Sequence, residues 1–412
     1  DVRSTAAQAL GPIFDAACEY ASTLNPKDSH IQLPQEVFAQ ILFKMAKQLM
    51  EEDEDDVEAL CAFSEAMSNI AYSGFHHSNE HVQACMTVGE ATEFVTLVTK
   101  AVDACLNRRS SMIQMLHGEY LDEDSKVQYE DILNFKSDYL SGLIDSIGYT
   151  LKSLGETFMP IFDSIVAPFF GPLLNSSGTK DSKARFGAIC LFDDCLEHCG
   201  SSGLKYAPTL ANAVQEGIHD QDLMVREASV YGISQIARKA PPESLRPYAE
   251  PLVQTLAEIA RNGARRQKDD IEDLRLVENS SSALATMTLF HTSPFKETKS
   301  VARTELVDIF MSNLPLQEDF DEAKFCHDGM CDLVESGELD INTNLDRILN
   351  IMGEIADAVA DGDEMATQAT VGRFARILVA IQNQVDQVKV QAAYSNLSEK
   401  AQNGINMLTT MV

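Results

Sequence analysis

Apolar residues recur every three or four positions in segment after segment of this chain, which is the spacing of one face of an α-helix. The segment 181–200 shows this pattern most clearly. Its apolar positions share one helical face: Ala188, Leu191, Phe192, Cys195 and Cys199. Three carboxylates fall on the other side, at Asp193, Asp194 and Glu197. We therefore predict an amphipathic helix with a buried face and an exposed acidic edge.

The same periodicity predicts helices along the whole chain, separated by short breaks. Stop signals such as Gly74, Gly155, Gly200 and the Pro241–Pro242 pair mark several of these breaks. Alternating β-branched runs are scarce, whereas Ala, Leu, Met, Glu and Gln are plentiful, so an all-α fold is expected. The predicted helices lie near 33–51, 54–73, 90–117, 127–154, 157–174, 182–199, 204–218, 222–239, 244–262, 270–290, 298–313, 319–336, 344–360, 364–383 and 392–411.

Several of these helices repeat a common design. When Val2, Ala184, Val225 and Val277 are taken as equivalent starts, small residues follow four positions later and apolar residues follow eight and twelve positions later. The step from Ala184 to Val225 is 41 residues and the step from Val225 to Val277 is 52. A HEAT repeat has roughly 40–47 residues, with insertions in loops. Such helix pairs stack into a superhelical solenoid. We expect one continuous HEAT-repeat array over 1–412, of about seven helix pairs with an unpaired helix at each end.

The charge balance narrows the classes of function. The 412 residues carry a formal net charge of −31, from 63 acidic and 32 basic side chains. Such a surface repels nucleic-acid phosphates and anionic lipids and attracts basic proteins, so no nucleic-acid or membrane partner is expected. The most apolar window, 158–174, contains Asp163 and three prolines, which argues against a membrane span. Acidity that serves solubility alone is the alternative explanation.

Neither catalysis nor metal binding is indicated. The nine cysteines lack paired CxxC spacing, and a helix separates Cys190 and Cys195 by about 140° around its axis. Buried reduced thiols are therefore expected instead of zinc ligands or disulfides. GxSxG, Walker A, GxGxxG and HExxH motifs are absent from the sequence. The prediction is a binding protein with no catalytic residue, no metal site and no cofactor.

Short strings of residues resemble a known family. The string at 189–199, ICLFDDCLEHC, is similar to an ICIFDD-x-x-EHC helix, and LKYA at 204–207 is similar to the FKYA that follows it. Further matches are VREA at 225–228, LPL at 314–316, CDLVES at 331–336 and NTNL at 342–345. Together these strings resemble nuclear import receptors of the karyopherin-β class, and most closely the C-terminal half of the importin-β3 type. The resemblance spans essentially the whole chain but is patchy before residue 155.

That resemblance implies a fold and a function. Receptors of this family are right-handed HEAT superhelices that carry basic cargo, such as nuclear localisation signals, histones or ribosomal proteins, through nuclear pores. They take direction from the GTPase Ran in its GTP form, slide on Phe-Gly nucleoporins, and shuttle between cytoplasm and nucleus. A monomer is expected. Nothing in this chain matches the family's N-terminal repeats, where the main Ran contacts lie, so we expect the C-terminal part of a longer receptor.

The acidic edge of 181–200 supplies the candidate site. Carboxylates in a partly desolvated groove hold Lys and Arg side chains through charge-assisted hydrogen bonds, so Asp193, Asp194 and Glu197 are candidate contacts for basic cargo. Two alternatives stay open for the same residues. They could form a solvated face, or Arg185 and Arg226 could neutralise neighbouring aspartates in an internal ladder.

Other clusters have simpler interpretations. The acidic run 51–56 is expected to be solvated, whereas Asp319, Asp321 and Glu322 form another acidic cluster for which binding of basic side chains, a solvated face and an internal ladder all stay open. His76, His77 and His81 are interpreted as surface histidines. The basic residues Arg261, Arg265, Arg266 and Lys268 are interpreted as a loop balanced by nearby carboxylates, with a Ran or nucleic-acid contact as the alternative.

Two other functions compete with transport. One is a non-transport HEAT scaffold, such as a phosphatase scaffold subunit, and the other is an unrecognised hydrolase. Binding partners separate the first from a receptor, and a concave pocket with a perturbed His or Cys would indicate the second.

Overall fold

A computed structural model describes residues 2–23, 33–52, 56–77, 86–116, 122–264 and 273–411 of the chain. Within these ranges all regular structure is helical. The chain divides into two compact units, Asp1–Ala228 and Ser229–Val412. A single continuous array over 1–412 stays a prediction.

The long helices of the first unit closely follow the predicted segments. They are α1 (Val2–Thr23), α2 (Leu33–Leu49), α3 (Val57–His76), α4 (Val88–Leu116), α5 (Glu123–Leu154), α6 (Ser182–His198) and α7 (Ala207–Gly217), and α8 (Leu223–Lys239) contains the division between the units.

The second unit continues the same pattern. Its helices after α8 are α9 (Ala249–Ala264), α10 (Leu274–Thr288), α11 (Arg303–Asn313), α12 (Phe320–Glu335), α13 (Ile341–Ala360), α14 (Gln368–Gln384), α15 (Gln387–Ser395) and α16 (Glu399–Thr410).

Polar caps explain where many of these helices begin. At each such start a side-chain oxygen accepts a hydrogen bond from a backbone N–H of the first turn, which otherwise lacks a partner. The capping residues are Asp56, Asp122, Asp181, Asp319, Asp340, Thr367, Asp386 and Ser398.

The first unit has two layers of helices. In one layer α1 packs on α3, α3 on α5, and α5 on α6. In the other, α2 packs on α4, and α4 packs on the segment that follows α5. Fully buried Phe and Leu side chains fill the space between the layers, including Phe94, Leu143, Phe162 and Phe192. The layer of α3, α5 and α6 positions the candidate site.

Polar contacts repeat with the spacing that the sequence predicts. Ser182 Oγ donates to Asp222 Oδ2 at 2.6 Å across 40 residues, and Arg373 Nη2 donates to Asp332 Oδ1 at 2.5 Å across 41 residues. Other pairs bridge 39 to 42 residues within one unit: Ser176–Glu216, Lys205–Asp163, Ser282–Glu322, Lys324–Glu364 and Arg347–Asp308. Consecutive repeats are therefore joined at equivalent positions.

Two predicted helices are wrong in detail. The segment 392–411 is divided between α15 and α16, because Ser398 caps a new helix. The segment 157–174 is a series of short turns: 3₁₀ turns at Gly155–Phe158 and Gly171–Leu174, α turns at Met159–Ile161 and Ala167–Phe170, and a π turn at Phe162–Val166. Prolines at 160, 168 and 172 lack the N–H that a regular helix needs.

The repeat alignment holds for three of its four starts. Residues four, eight and twelve positions after Ala184, Val225 and Val277 are all buried. In α1 the alignment is wrong at its first positions, because Val2 is 84% exposed and Ala6 is exposed, whereas Phe14, twelve positions after Val2, is buried as expected.

One stretch, 124–174, is long and apolar enough by composition to cross a membrane. Core helices of soluble proteins pass the same test. Here α5 packs on α3, α4 and α6, Gly155 has a positive φ of 55°, and the irregular turns follow. The stretch is thus not one continuous helix.

The close crossing of α13 and α16 gives a test of the packing. A Cβ added at Gly404 would lie 1.9 Å from the carbonyl oxygen of Gly353, so Gly404→Ala must push the two helices apart. We expect it to lower the free energy of unfolding by about 1–3 kcal/mol, measured by urea denaturation with circular dichroism.

Gly372→Ala is the matched control. A Cβ at Gly372, in α14, would meet nothing closer than 3.8 Å, so this variant is expected to gain about 0.5–1 kcal/mol from helix propensity. Equal effects of the two substitutions would contradict the proposed close contact.

Candidate functional site

The structure places the three predicted carboxylates in a charged cluster between α5 and α6. From α6 come Asp193, Asp194 and Glu197, and from α5 come Asp145 and Lys152. We call these five side chains the acidic cluster. Four carboxylates and one ammonium group interact electrostatically within it, so the cluster lacks counter-charge.

The expected exposed edge is wrong for Asp193. Its residue is only 2% exposed, and its Oδ1 atom has no hydrogen-bond partner among the described residues. Asp194 and Glu197 are half-buried. The reason is that α6 packs with helices on both of its flanks, so the side opposite its apolar face is covered at Asp193 and partly open at the other two positions.

Burial controls the protonation of this cluster. Burial, followed by the negative charges of Asp194 and Glu197, raises the pKa of Asp193 well above its ordinary value. Burial also raises the pKa of Asp194 to about 6, although Lys152 opposes that rise. Both carboxylates therefore hold protons more tightly in the folded protein than in the unfolded chain.

Lys152 is the internal partner of the cluster. Its Nζ lies 3.1 Å from Asp194 Oδ1. Burial alone would lower the pKa of Lys152, but the charge and hydrogen bond of Asp194, together with the charges of Tyr149 and Glu197, raise it above its ordinary value. The small residue at Gly148 leaves room for this arrangement, because a Cβ there would lie 2.9 Å from Asp194 Oδ2.

The internal arginine ladder exists, but it does not involve the acidic cluster. Arg185 Nη2 lies 2.7 Å from Asp220 Oδ2, and Arg109 Nε lies 2.6 Å from Asp181 Oδ2 in a buried pair. The Nε atom of Arg226 has no hydrogen-bond partner among the described residues. Arg185 therefore neutralises an aspartate outside the cluster, and within the cluster Lys152 is the cation that pairs with Asp194.

The cysteines of α6 lie in the protein interior. Cys195 and Cys199 are buried and Cys190 is half-buried. Cys195 Sγ lies 3.8 Å from Met159 Sδ, and a hydrogen bond with Cys199, followed by burial, raises the pKa of Cys195. Within the described ranges, no group of three or more His, Cys, Asp or Glu side chains could hold a metal ion.

Some predicted surface clusters have defined partners. Glu52 is buried and paired with Arg3, which corrects the expectation of a solvated run at 51–56. His77 Nε2 lies 3.0 Å from Asp15 Oδ1. In the 319–322 cluster Glu322 is 1% exposed and paired with Arg238, an internal pair.

Other predicted positions lie outside the described residues: 53–55, His81, Arg265, Arg266 and Lys268. Arg261, which is described, pairs with Glu305 at 2.5 Å.

Sequence analysis does not identify the residues that α5 contributes to the acidic cluster. The repeat alignment contains no start in α3 or α5, so it assigns no neighbour to α6 on that side. Asp145, Gly148 and Lys152 share one face of a helix by their spacing of three, four and seven residues. That spacing, combined with the order of helices in a solenoid layer, is the signal that would reveal them.

The buried carboxylate gives a pH-dependent prediction. The unfolded chain loses its Asp protons near the ordinary pKa of 3.8, whereas burial raises the pKa of folded Asp194 to about 6 and raises that of Asp193 well above its ordinary value. The cluster therefore stabilises the fold more at about pH 5 than at about pH 7.5. Asp193→Asn removes the buried charge, so at about pH 7.5 we expect a gain of about 1 kcal/mol or more.

Thermal unfolding at the two pH values measures this effect. The difference between them should shrink in Asp193→Asn and stay unchanged in Asp346→Asn, which removes a charge from an exposed position on α13. A loss of stability in Asp193→Asn at neutral pH would contradict the assignment of an unpaired buried carboxylate.

Comparison with solved structures identifies the fold. The chain is similar to the karyopherin Kap121p bound to the SUMO protease Ulp1p, with a TM-score of 0.63 and 17% identity over 90% of this chain and 30% of that one. It is similar to Kap121p bound to Nup53p, with a TM-score of 0.63 and 14% identity over the same shares. It is also similar to Kap121p bound to the extreme C-terminus of the phosphatase Cdc14p, with a TM-score of 0.61, 16% identity, and 90% and 29% coverage.

These similarities establish the architecture. The predicted all-α HEAT-repeat solenoid fold and the predicted likeness to a karyopherin are confirmed at the level of the fold. The chain spans about 30% of the length of the Kap121p chains that it matches. No protein-family model matches it.

Proposed function

We propose that this chain is part of a karyopherin-type nuclear transport receptor and that it binds basic segments of cargo proteins at the acidic cluster. The observation that carries the proposal is the match of 90% of the chain to Kap121p, which was solved in complex with Ulp1p, Ste12p, Pho4p, Cdc14p and Nup53p. Its role is binding, with no chemical step.

The negative charge of the chain supports the proposal that its cargo is basic. The net charge of −31 attracts basic proteins over distances set by ionic strength, which speeds encounter. At the cluster, the half-buried carboxylates of Asp194, which also pairs with Lys152, and Glu197 lie where an incoming ammonium or guanidinium group can approach them. Desolvated carboxylates bind such groups more strongly than exposed ones do.

A groove between α4 and α5 supports nucleoporin binding. It has a volume of about 740 Å³, and its lining combines apolar residues such as Val57, Met112 and Ile132 with polar ones such as Arg108 and Lys136. Phe135, on α5, is 58% exposed. Exposed apolar surface of this kind suits the Phe side chains of Phe-Gly repeats.

The receptor would shuttle between cytoplasm and nucleus, and the GTP form of Ran would direct release of cargo.

Binding of a fluorescent Lys- and Arg-rich peptide tests the cargo proposal. Affinity measured by anisotropy should fall steeply as salt rises, because screening weakens contacts between exposed charges. The double substitution Asp194→Asn and Glu197→Gln should weaken binding by about five- to tenfold at low salt.

Asp361→Asn with Asp363→Asn is the matched control. This pair removes two charges from exposed positions after α13 and should change affinity by less than about twofold. Binding that is insensitive to salt, or equal losses in both double variants, would contradict a local cargo site.

A pull-down with and without GTP-loaded Ran tests the transport role. Basic cargo and nucleoporins should be recovered, and Ran should displace cargo from any longer form that contains the main Ran contacts. Recovery of a stable phosphatase core instead would favour the scaffold function.

A further inference from the structure

Aromatic rings form a continuous strip across α3, α5 and α6, next to the acidic cluster. The ring centroids of Tyr72 and Tyr149 are 5.2 Å apart, those of Phe75 and Tyr149 are 6.4 Å apart, and those of Phe75 and His198 are 5.8 Å apart. His76 stacks on Tyr72 at 5.3 Å. We call these five residues the ring strip.

Core packing does not account for the ring strip. Tyr72 is 41% exposed, and His76 is also exposed. Phe75, Tyr149 and His198 are half-buried. The strip is therefore a solvent-accessible aromatic surface, and adjacent rings of this size are usually found where a partner packs.

Carboxylates flank the strip. Asp194 and Glu197 lie at its α6 end, where Glu197 Oε2 is 3.8 Å from His198 Nε2. Asp15 lies at the other end, beside His77, which stacks edge-on against His76 at 5.1 Å. An aromatic surface with carboxylates at both ends is complementary to a cationic segment.

Lys152 already lies between a ring of the strip and a carboxylate. The Lys152 ammonium lies 5.1 Å from the centroid of the Tyr149 ring and 3.1 Å from Asp194 Oδ1. Within the described residues, no side-chain cation lies over Tyr72 or Phe75. The strip thus offers ring faces that no described cation covers, beside a cluster in which four carboxyl groups accompany one ammonium group.

The second unit contains the same arrangement with an arginine. The Arg238 guanidinium carbon lies 3.8 Å from the centroid of the Phe325 ring, and its Nη2 donates to the buried carboxylate of Glu322. Guanidinium is planar and stacks on a ring while its N–H groups bind a carboxylate, which an ammonium group does less well. This repeat architecture therefore accommodates Arg between a ring and a carboxylate.

We propose that the ring strip is an arginine-selective docking surface for an extended, arginine-bearing segment of a partner protein. This inference rests on the proposed capture of basic segments and specifies which basic side chain is preferred. Arginine side chains would stack on Tyr72 and Phe75 and bind the half-buried carboxylates of Asp194 and Glu197 at the α6 end of the strip.

The helix spacing fixes the spacing of the arginines. Packed helices lie about 8–10 Å apart, and an extended peptide advances about 3.3 Å per residue. A segment that crosses from α3 to α6 therefore meets a new helix about every three residues. Arginines three positions apart should bind best.

Anisotropy titrations of the full chain with four labelled peptides test the proposal. The probes carry Arg three positions apart, Lys in the same places, Arg on adjacent positions, or Phe-Gly in place of the cations. The first peptide should bind about fivefold or more tightly than its Lys counterpart, as expected for stacking on accessible rings.

Ring substitutions identify the residues responsible. Tyr72→Leu combined with Phe75→Leu should remove the preference for Arg over Lys while leaving the salt-dependent affinity for the Lys peptide within about twofold. Phe135→Leu removes an exposed ring elsewhere on α5 and should keep the full preference. Thermal unfolding of each variant verifies that the fold is intact.

The outcomes separate this inference from the proposed function. Equal, salt-sensitive binding of the Arg and Lys peptides would overturn the ring contact and leave the cargo proposal standing. A selectivity retained by the double ring variant, or Phe-Gly binding as tight as that of the Arg peptide, would also overturn it. Failure of both cationic peptides to bind would overturn both proposals.

Discussion

The structure depends on the burial of each helix pair against its sequence neighbours. A single pair of these helices has apolar residues on more than one side and cannot cover them alone. Contact between α3 and α5, and then between α5 and α6, completes that burial in the first unit. Polar bonds between residues about 40 positions apart fix the register of successive pairs at their edges. Packing of apolar side chains stabilises the stacked helices, and these polar bonds determine which residues of successive pairs contact each other.

The same packing creates the electrostatic character of the site. When α6 is covered by its neighbours, Asp193 loses contact with water but gains no full partner. An unpaired buried carboxylate is costly to the fold, and natural proteins usually retain such groups for a reason other than stability. Lys152 offsets part of the charge through Asp194. We propose that the remaining imbalance attracts an external cation to the cluster and the adjacent ring strip.

Sequence reasoning succeeds where a residue's environment depends on its own helix. The period of apolar residues gives most helix positions, and the spacing of Ala184, Val225 and Val277 gives the repeat. It fails where a second element decides the outcome. Asp193 is polar and lies opposite the apolar face of α6, yet α6 has neighbours on both sides. The breaks near 160–172 follow from prolines whose combined effect on a helix depends on local packing.

The ring strip cannot be predicted from the sequence pattern for the same reason. Tyr72, Tyr149 and His198 are far apart in sequence and become adjacent only because α3, α5 and α6 are consecutive members of one layer. No short motif records that relationship. It could be predicted only after α3 and α5 had been given places in the repeat.

The bonds that span about 40 residues affect how a structural change in one repeat is passed to its neighbours. Each of them joins a repeat to the next one along the chain. The energetics of such an array are those of a one-dimensional row, in which each member responds to its immediate neighbours. A small rotation at one interface can be absorbed by the adjoining interfaces without breaking any core. The array can thus adjust to ligands of different shape through many slight, reversible displacements.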